Sequence, residues 1–141
     1  MAFLWRKTMS VGNDAIDHGH RYLIGYVNTI ELILHSPIDK ELLIEALDQL
    51  YEETVKHFRK EEVIQRKIEF PQTLHHRREH KKLLEQLNDA RTKIIDCNSL
   101  EGLLEYAPEL IMFLRNWLVD HVFHEDMLLK PFFSKYPKGY S

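Results

Sequence analysis

The sequence predicts an all-α protein, an up-down-up-down antiparallel four-helix bundle with an N-terminal arm. Four stretches carry apolar residues at intervals of three and four, the spacing of a buried helical stripe. Short segments containing Pro, Ser or Asn separate these stretches, which favours antiparallel neighbours. With 141 residues and no repeat or interdomain linker, the chain is expected to form one domain. Its parts are an arm (1–15), the bundle (16–130) and a C-terminal tail (131–141).

The first two helices are predicted on either side of Ser36-Pro37. The first begins near Ile16 and runs to about His35, and the second follows Asp39, a suitable N-cap, and runs to about Lys67. The stripe of the first helix is Ile16, Leu23, Ile24, Val27, Ile30 and Leu34. The stripe of the second is Leu43, Leu47, Leu50, Thr54, His57, Glu61 and Ile64.

The last two helices are predicted at 72–96 and roughly 100–130. Pro108 is expected to restart or kink the fourth helix, and Pro131 to end it. The aromatic tail is expected to lie over the bundle end, and the arm with Trp5 to pack outside the bundle. The stripe of the third helix is His76, His80, Leu83, Leu84, Leu87 and Ile94. The stripe of the fourth is Leu110, Leu114, Trp117, Leu118, His121, Glu125 and Leu128.

Composition argues against several classes of function. The net charge is −3 and basic residues are scattered among acidic ones, so no basic stripe indicates nucleic-acid binding. No apolar run is long enough for membrane insertion, and no hydrophobic segment of a signal peptide follows the N-terminus. The single cysteine, Cys97, excludes an internal disulfide and fits a reducing compartment. A cytoplasmic location is expected, and no protein partner is indicated.

Two pairs of side chains spaced four apart indicate a metal site. His57 with Glu61, and His76 with His80, each project from one face of a helix, one turn apart. A single pair of this kind usually belongs to a solvated face, so a metal site requires further ligands from the other helices. The inward Glu61 supports ligation because a buried carboxylate is costly unless it is paired or metal-bound.

Ligand candidates come from all four helices. Together they exceed the needs of one structural zinc and suit two first-row ions that share bridging ligands, but they do not distinguish iron, copper, zinc or nickel. On the fourth helix, α-helical geometry favours Glu125, at about 40° around the axis from His121, over Asp126, at about 140°. The candidates are His20, His57, Glu61, His76, His80, His121 and either Glu125 or Asp126.

Five motifs, in order along the chain, resemble the hemerythrin family in its bacterial single-domain form. They are Trp5 with SVG in the arm, IDHGH, HFRKEE, HHRREH and WLVDHVFHED. The resemblance implies a centre of two iron ions with a bridging hydroxide or oxo group. It also favours Asp126 over Glu125, because the bacterial pattern places an aspartate five residues after the histidine. His124 is expected at the surface or beside the site.

The resemblance also implies a role for each ligand. His76, His80 and His121 would hold one iron, His20 and His57 the other, and Glu61 and Asp126 would bridge them. Dioxygen would bind reversibly at the position left open on the second iron, for storage, delivery or scavenging, and no enzymatic activity is expected. Leu118, Trp117 and Phe58 would form an apolar dioxygen pocket, although core packing explains them equally well. The alternatives are an oxygen or redox sensor and a nitric oxide or peroxide reductase.

Overall fold

Four long helices form the body of the protein in a computed structural model that describes residues 2–35 and 37–140, without the side chains of Val122 and Phe123. They are α1 (Asp14–His35), α2 (Lys40–Lys67), α3 (Thr73–Asp96) and α4 (Leu100–Val119). Neighbouring helices pack antiparallel, α1 against α2 and α4, and α3 against α2 and α4. This arrangement confirms the predicted all-α bundle, and the described residues contain no strand.

Polar side chains cap three of the four helices at their N-termini. Asn13, Asp39 and Ser99 each accept a hydrogen bond from the backbone N–H three residues later, at 3.1, 3.2 and 3.0 Å. Such caps satisfy donors that the first helical turn leaves without partners. The Asp39 cap was predicted. The first helix begins at Asp14 rather than Ile16 because Asn13 provides its cap.

Pro108 does not restart the fourth helical segment and Pro131 does not end it, although the sequence had allowed the first and predicted the second. Pro108 lies inside α4, which continues through it without restarting. Pro131 lies in the first turn of a short helix, α5 (Lys130–Phe133), rather than at a helix end. Proline is tolerated in the first turn because its missing N–H would have had no helical partner there.

Between α4 and α5 the backbone changes its helical spacing. Asp120–Glu125 forms a π-helical turn in which the N–H of Asp126 donates to the carbonyl of His121, five residues earlier. The wide turn inserts one extra residue, so the buried face moves along by one position. Leu129 is therefore fully buried, whereas Leu128, which was predicted on the inner stripe, is 43% exposed.

The backbone of the N-terminal arm is hydrogen-bonded to a side chain of α1. Asn28 accepts a hydrogen bond from the N–H of Phe3 and donates one to its carbonyl, both at 2.8 Å. Phe3 and Trp5 are half-buried against the core, and the Arg21 guanidinium lies 5.0 Å from the centre of the Trp5 ring. Leu4 between them is exposed. The arm thus covers part of the bundle with two aromatic rings.

The interior divides into two apolar clusters with a polar layer between them. On α1, Ile16 belongs to the small cluster and Leu23 to the large one, and the buried His20 lies between them in sequence. On α2, Glu61 lies in the same way between Ile64 and Phe58. The large cluster includes Leu23, Val27, Ile30, Leu47, Leu50, Phe58, Leu87, Leu114, Trp117 and Leu118. The small cluster is Val11, Ile16, Ile64, Ile68, Phe70, Leu129 and Phe133.

The C-terminal tail covers the small cluster. Phe132, Tyr136 and Tyr140 pack against it, and the backbone N–H of Asp14 donates to the carbonyl of Lys138 at 2.7 Å. The aromatic tail therefore lies over the end of the bundle, as the sequence predicted. Within the described ranges, no helix combines the length and apolar character required to cross a lipid bilayer.

Candidate metal centre

The polar layer holds all seven side chains that the sequence analysis favoured as ligands. Each is buried, with no more than 7% of its surface exposed. Each of the four helical segments contributes, and the π turn that follows α4 carries part of the fourth contribution. The residues are His20 from α1, His57 and Glu61 from α2, His76 and His80 from α3, and His121 and Asp126 from the fourth segment.

Glu61 lies between imidazoles of two helices. Its Oε1 is 3.4 Å from Nε2 of His80 on α3, and its Oε2 is 3.1 Å from Nε2 of His57 on its own helix. Gln65, one turn later, donates to Oε1 at 3.2 Å. Burial and the charge of Asp126 raise the pKa of Glu61, but the neighbouring imidazoles of His57 and His80 outweigh them and leave the pKa below its ordinary value. The carboxylate is therefore ionised.

Asp126 also directs its two oxygens to different helices. Oδ2 is 2.6 Å from Nε2 of His20 and 2.8 Å from Nε2 of His121, and Oδ1 is 3.7 Å from Nε2 of His76 on α3. Burial raises the pKa of Asp126, but the hydrogen bond to His20 and the charge of that imidazole lower it by more. The pKa therefore lies below its ordinary value. Like Glu61, Asp126 faces α3 with one oxygen and the opposite side with the other. A carboxylate that bridges two cations requires this arrangement.

The π turn determines which of two neighbouring carboxylates enters the cluster. Asp126 is fully buried, whereas the side chain of Glu125 is 23% exposed and lies 3.1 Å from the exposed His75. The geometric preference for Glu125 assumed α-helical spacing after His121, and the backbone there is π-helical instead. A residue five positions after His121 then projects inward as a residue four positions later would in an α-helix.

His121 lies nearer to one side of the cluster than the family resemblance implied. Its Nε2 approaches Oδ2 of Asp126, at 2.8 Å, and Oε2 of Glu61, at 3.7 Å, and these oxygens also face His20 and His57. The assignment of His121 to the same ion as the two α3 histidines stays a prediction. Burial lowers the pKa of His121 well below its ordinary value, aided by the neighbouring imidazoles. The neutral ring is the form that binds metals.

Several buried atoms of the cluster have no hydrogen-bond partner. Buried polar atoms are nearly always paired, because leaving one without a partner costs about 1–3 kcal/mol. A cation bound between the carboxylates would satisfy these nitrogens and oxygens together, and imidazole with carboxylate is a donor set that iron accepts. The residues present therefore fit a metal centre. The unpaired ligand atoms include Nε2 of His57, His80 and His121, Oε2 of Glu61 and Oδ1 of Asp126.

Two residues that the sequence analysis did not assign to the site support the histidines of α3. Nδ1 of His80 donates to Oε2 of Glu62 at 2.8 Å, which leaves Nε2 available for a metal. The side chain of Glu62 is 19% exposed. The amide of Gln65 lies 3.3 Å from Nδ1 of His76. The position of Gln65, one turn after Glu61, is a signal that could have identified it.

The two α3 histidines differ in their present bonding. Burial lowers the pKa of His80, but Glu61, Asp126 and Glu62 together raise it more, to about 9. Nε2 of His76 is hydrogen-bonded to the backbone carbonyl of Glu125 at 2.8 Å. Ligation by this nitrogen would require exchange of that bond.

The three residues proposed for a dioxygen pocket are all buried, but they make different contacts. The Phe58 ring stacks on His80 with centroids 3.9 Å apart and lies 4.7 Å from the His121 ring. Trp117 donates its indole N–H to the carbonyl of Leu83 at 3.1 Å. Leu118 is fully buried in the large cluster. Phe58 therefore forms a wall of the metal centre, and the pocket itself stays a prediction.

The remaining histidines are exposed. They are His18, His35, His75 and His124, of which His124 was expected at the surface or beside the site.

Residues 11–133 match the family model described as the hemerythrin HHE cation binding domain. The chain belongs to the hemerythrin family. A hemerythrin domain implies non-haem iron binding, and the buried His, Glu and Asp cluster fits that role. Among hemerythrin relatives, a bacteriohemerythrin of Campylobacter jejuni is 26% identical, covering 92% of this chain and 93% of its own length.

Two further hemerythrin relatives cover a similar span. A hemerythrin-like protein of Naegleria gruberi is 27% identical over 91% of each chain. A bacteriohemerythrin of Stenotrophomonas maltophilia is 24% identical over 89% of this chain and 78% of its own length. In each case the similarity covers most of the chain.

Proposed function

We propose that this hemerythrin binds dioxygen reversibly at a centre of two iron ions. The observation that carries the proposal is the orientation of Glu61 and Asp126, each of which faces imidazoles on opposite sides with its two oxygens. One carboxylate in this position could serve a single ion. Two buried, ionised carboxylates, each with its oxygens directed to opposite sides of the cluster, support a pair of bridged ions.

The number of donor atoms supports a binding site for an external ligand. Five imidazoles and two carboxylates provide fewer donors than a pair of octahedral ions would accept. A hydroxide or oxo bridge would take up part of the difference, and dioxygen would take the rest. A pair of ferrous ions, when bound, would supply the electrons that dioxygen accepts reversibly.

The surrounding side chains support binding rather than turnover. Phe58 stacks on His80, and Trp117 and Leu118 extend the apolar surface into the large cluster. An apolar wall excludes water, which limits proton-coupled loss of the ligand as peroxide. We therefore propose a carrier or scavenger of dioxygen without enzymatic activity. The cytoplasmic location stays a prediction.

The test is iron content together with the visible spectrum under argon, in air and again under argon. We expect about two iron ions per chain and a visible band that appears in air and disappears on deoxygenation. The His121→Ala variant should lose iron, whereas His35→Ala, which changes an exposed histidine, should keep it.

Two results would contradict the proposal. Less than one iron per chain in the wild type would exclude the di-iron centre. Permanent conversion to the diferric form in air would exclude reversible binding. Turnover of peroxide or nitric oxide well above the rate of autoxidation would favour a reductase instead.

A further inference from the structure

Gly19 lies immediately before His20 on α1 and directly faces the ring of His57 on α2. A methyl group on its α-carbon would lie 2.1 Å from Nδ1 of His57, 2.7 Å from Cε1 and 3.1 Å from Cγ. Ordinary contacts of a β-carbon begin at 3.4 Å. Any side chain at this position would therefore displace the imidazole by at least about 1 Å, beyond the tolerance of about 0.5 Å that a functional constellation allows.

In its present position the His57 ring contacts the other ligand candidates of the cluster. Its Nε2 lies 3.1 Å from Oε2 of Glu61, and its ring centre lies 4.8 Å from that of His20 and 5.5 Å from that of His121. Nε2 is among the buried atoms without a hydrogen-bond partner. The ring thus occupies the space that a side chain at position 19 would need, with its Nε2 directed toward Glu61.

A displaced ring has space to move into without unfolding the bundle. A surface cavity of about 250 Å³ between α1 and α2 is lined by both Gly19 and His57, with Lys56 and Lys60 on its α2 side. His57 is also the most exposed of the seven ligand candidates, at 7%. Movement of its imidazole into this cavity would take Nε2 away from Glu61 and leave the helix packing intact.

We propose that Gly19 is a positioning residue of the metal centre. Because glycine has no side chain, the His57 imidazole has room to lie against the cluster. The inference rests on the proposed two-ion centre and extends it to a residue that touches neither ion. Gly19→Ala should lower the affinity for the ion on the His57 side and leave the affinity for the other ion unchanged.

The test compares Gly19→Ala with Gly25→Ala on the same helix. A methyl group at Gly25 would meet nothing within 4 Å, so this variant is matched for the helical effect of replacing glycine by alanine. The probe is cobalt(II), titrated anaerobically into metal-free protein, with circular dichroism to check folding. Wild type and Gly25→Ala should bind about two ions, and Gly19→Ala should bind the second at least about tenfold more weakly.

A second measurement does not depend on the loaded protein. Nitrogen-15 NMR of the metal-free chain should show a changed imidazole environment for His57 in Gly19→Ala and an unchanged one in Gly25→Ala. A merely structural effect of alanine at position 19 would not single out this ring.

A double variant tests whether the effect passes through His57. In His57→Ala the imidazole is absent, so adding Gly19→Ala should cause no further loss of cobalt(II) affinity. If Gly19→Ala alone destabilises the fold, the double variant should regain the thermal midpoint of His57→Ala. A further loss of affinity in the double variant, or a failure to regain the midpoint, would overturn the inference.

The outcomes separate this inference from the proposed function. A wild type that binds fewer than two cobalt(II) ions contradicts the two-ion centre itself. A wild type that binds two, with the same affinities in Gly19→Ala, contradicts only the role of Gly19.

Discussion

Asp126 reaches the centre of the molecule because of the backbone that precedes it. Its N–H bonds to the carbonyl of His121, five residues earlier, and its carboxylate then lies 2.8 Å from Nε2 of the same histidine. Glu125 is turned to the surface beside His75. Two adjacent acidic residues thus have different surroundings, and their substitution should have different effects.

We expect Asp126→Asn to lower the iron content to about one ion per chain or less, because a neutral amide bridges cations poorly. Glu125→Gln is the matched control and should leave the iron content unchanged. Metal analysis of both variants after identical loading checks the prediction. Equal loss in both, or loss in Glu125→Gln alone, would show that the assignment of the bridging residue is wrong.

Glu62 supports the site by accepting a hydrogen bond from Nδ1 of His80 at 2.8 Å. Partners of this kind fix the ring and increase its basicity as a ligand, and their loss typically costs 10- to 100-fold in metal affinity. We expect a loss of about this size for Glu62→Gln, measured by competition with a chelator. Glu53→Gln, at a surface pair with Lys56, should have no effect, and an equal loss in both variants would contradict the role of Glu62.

Residues that depend on one helix alone were predictable from the sequence. The spacing of His57 with Glu61 requires only a regular helix, and both face inward as expected. The contact of Glu62 with His80 depends on how two helices are rotated against each other, which periodicity does not specify. The approach of Gly19 to His57 depends on the distance between helices and was not predictable for the same reason.

The elements differ in how far their sequence determined them. For α2, the Asp39 cap and a regular apolar stripe predicted the observed Lys40–Lys67 closely. The fourth segment was predicted as one helix to residue 130, and the π turn at Asp120–Glu125 overturned its last part. The apolar pattern alone would have buried Leu128. Only the motif pattern after His121 indicated the five-residue step.

The contact between the N-terminal arm and α1 can be tested separately from metal binding. Asn28→Ala would remove both hydrogen bonds to the backbone of Phe3. We expect a loss of roughly 1–3 kcal/mol in the free energy of unfolding, with faster proteolysis of the arm and unchanged iron content. Denaturant titration checks the first expectation. Thr29→Ala, next to Asn28 on an exposed position, is the control.

At the scale of the whole molecule, metal binding and protonation are coupled through His80. Its pKa is about 9 in the metal-free protein, so the ring carries a proton at pH 7.5, and ligation requires the neutral form. We expect metal binding to release a proton there, and affinity to rise with pH up to about 9. Calorimetry in buffers of different ionisation enthalpy measures the release, and its absence would contradict the prediction.

The same raised pKa affects the stability of the metal-free protein in the opposite direction. A folded-state pKa above the ordinary 6.5 gives a stabilising contribution that is complete below about pH 6.5. This contribution is lost as the pH rises through about 9. Metal affinity and metal-free stability should therefore have opposite dependences on pH in this range.

The polar layer between the two apolar clusters means that, without metal, all four helical segments share one cross-section built largely of polar side chains. Opening at that level would leave the segments on either side folded, so amide hydrogens near His20 and His57 should exchange with deuterium earlier than those of the large cluster. Iron would link the four helical segments at this level, and the early exchange should disappear. The bound metal would then stabilise the middle of the bundle as well as provide the ligand-binding site.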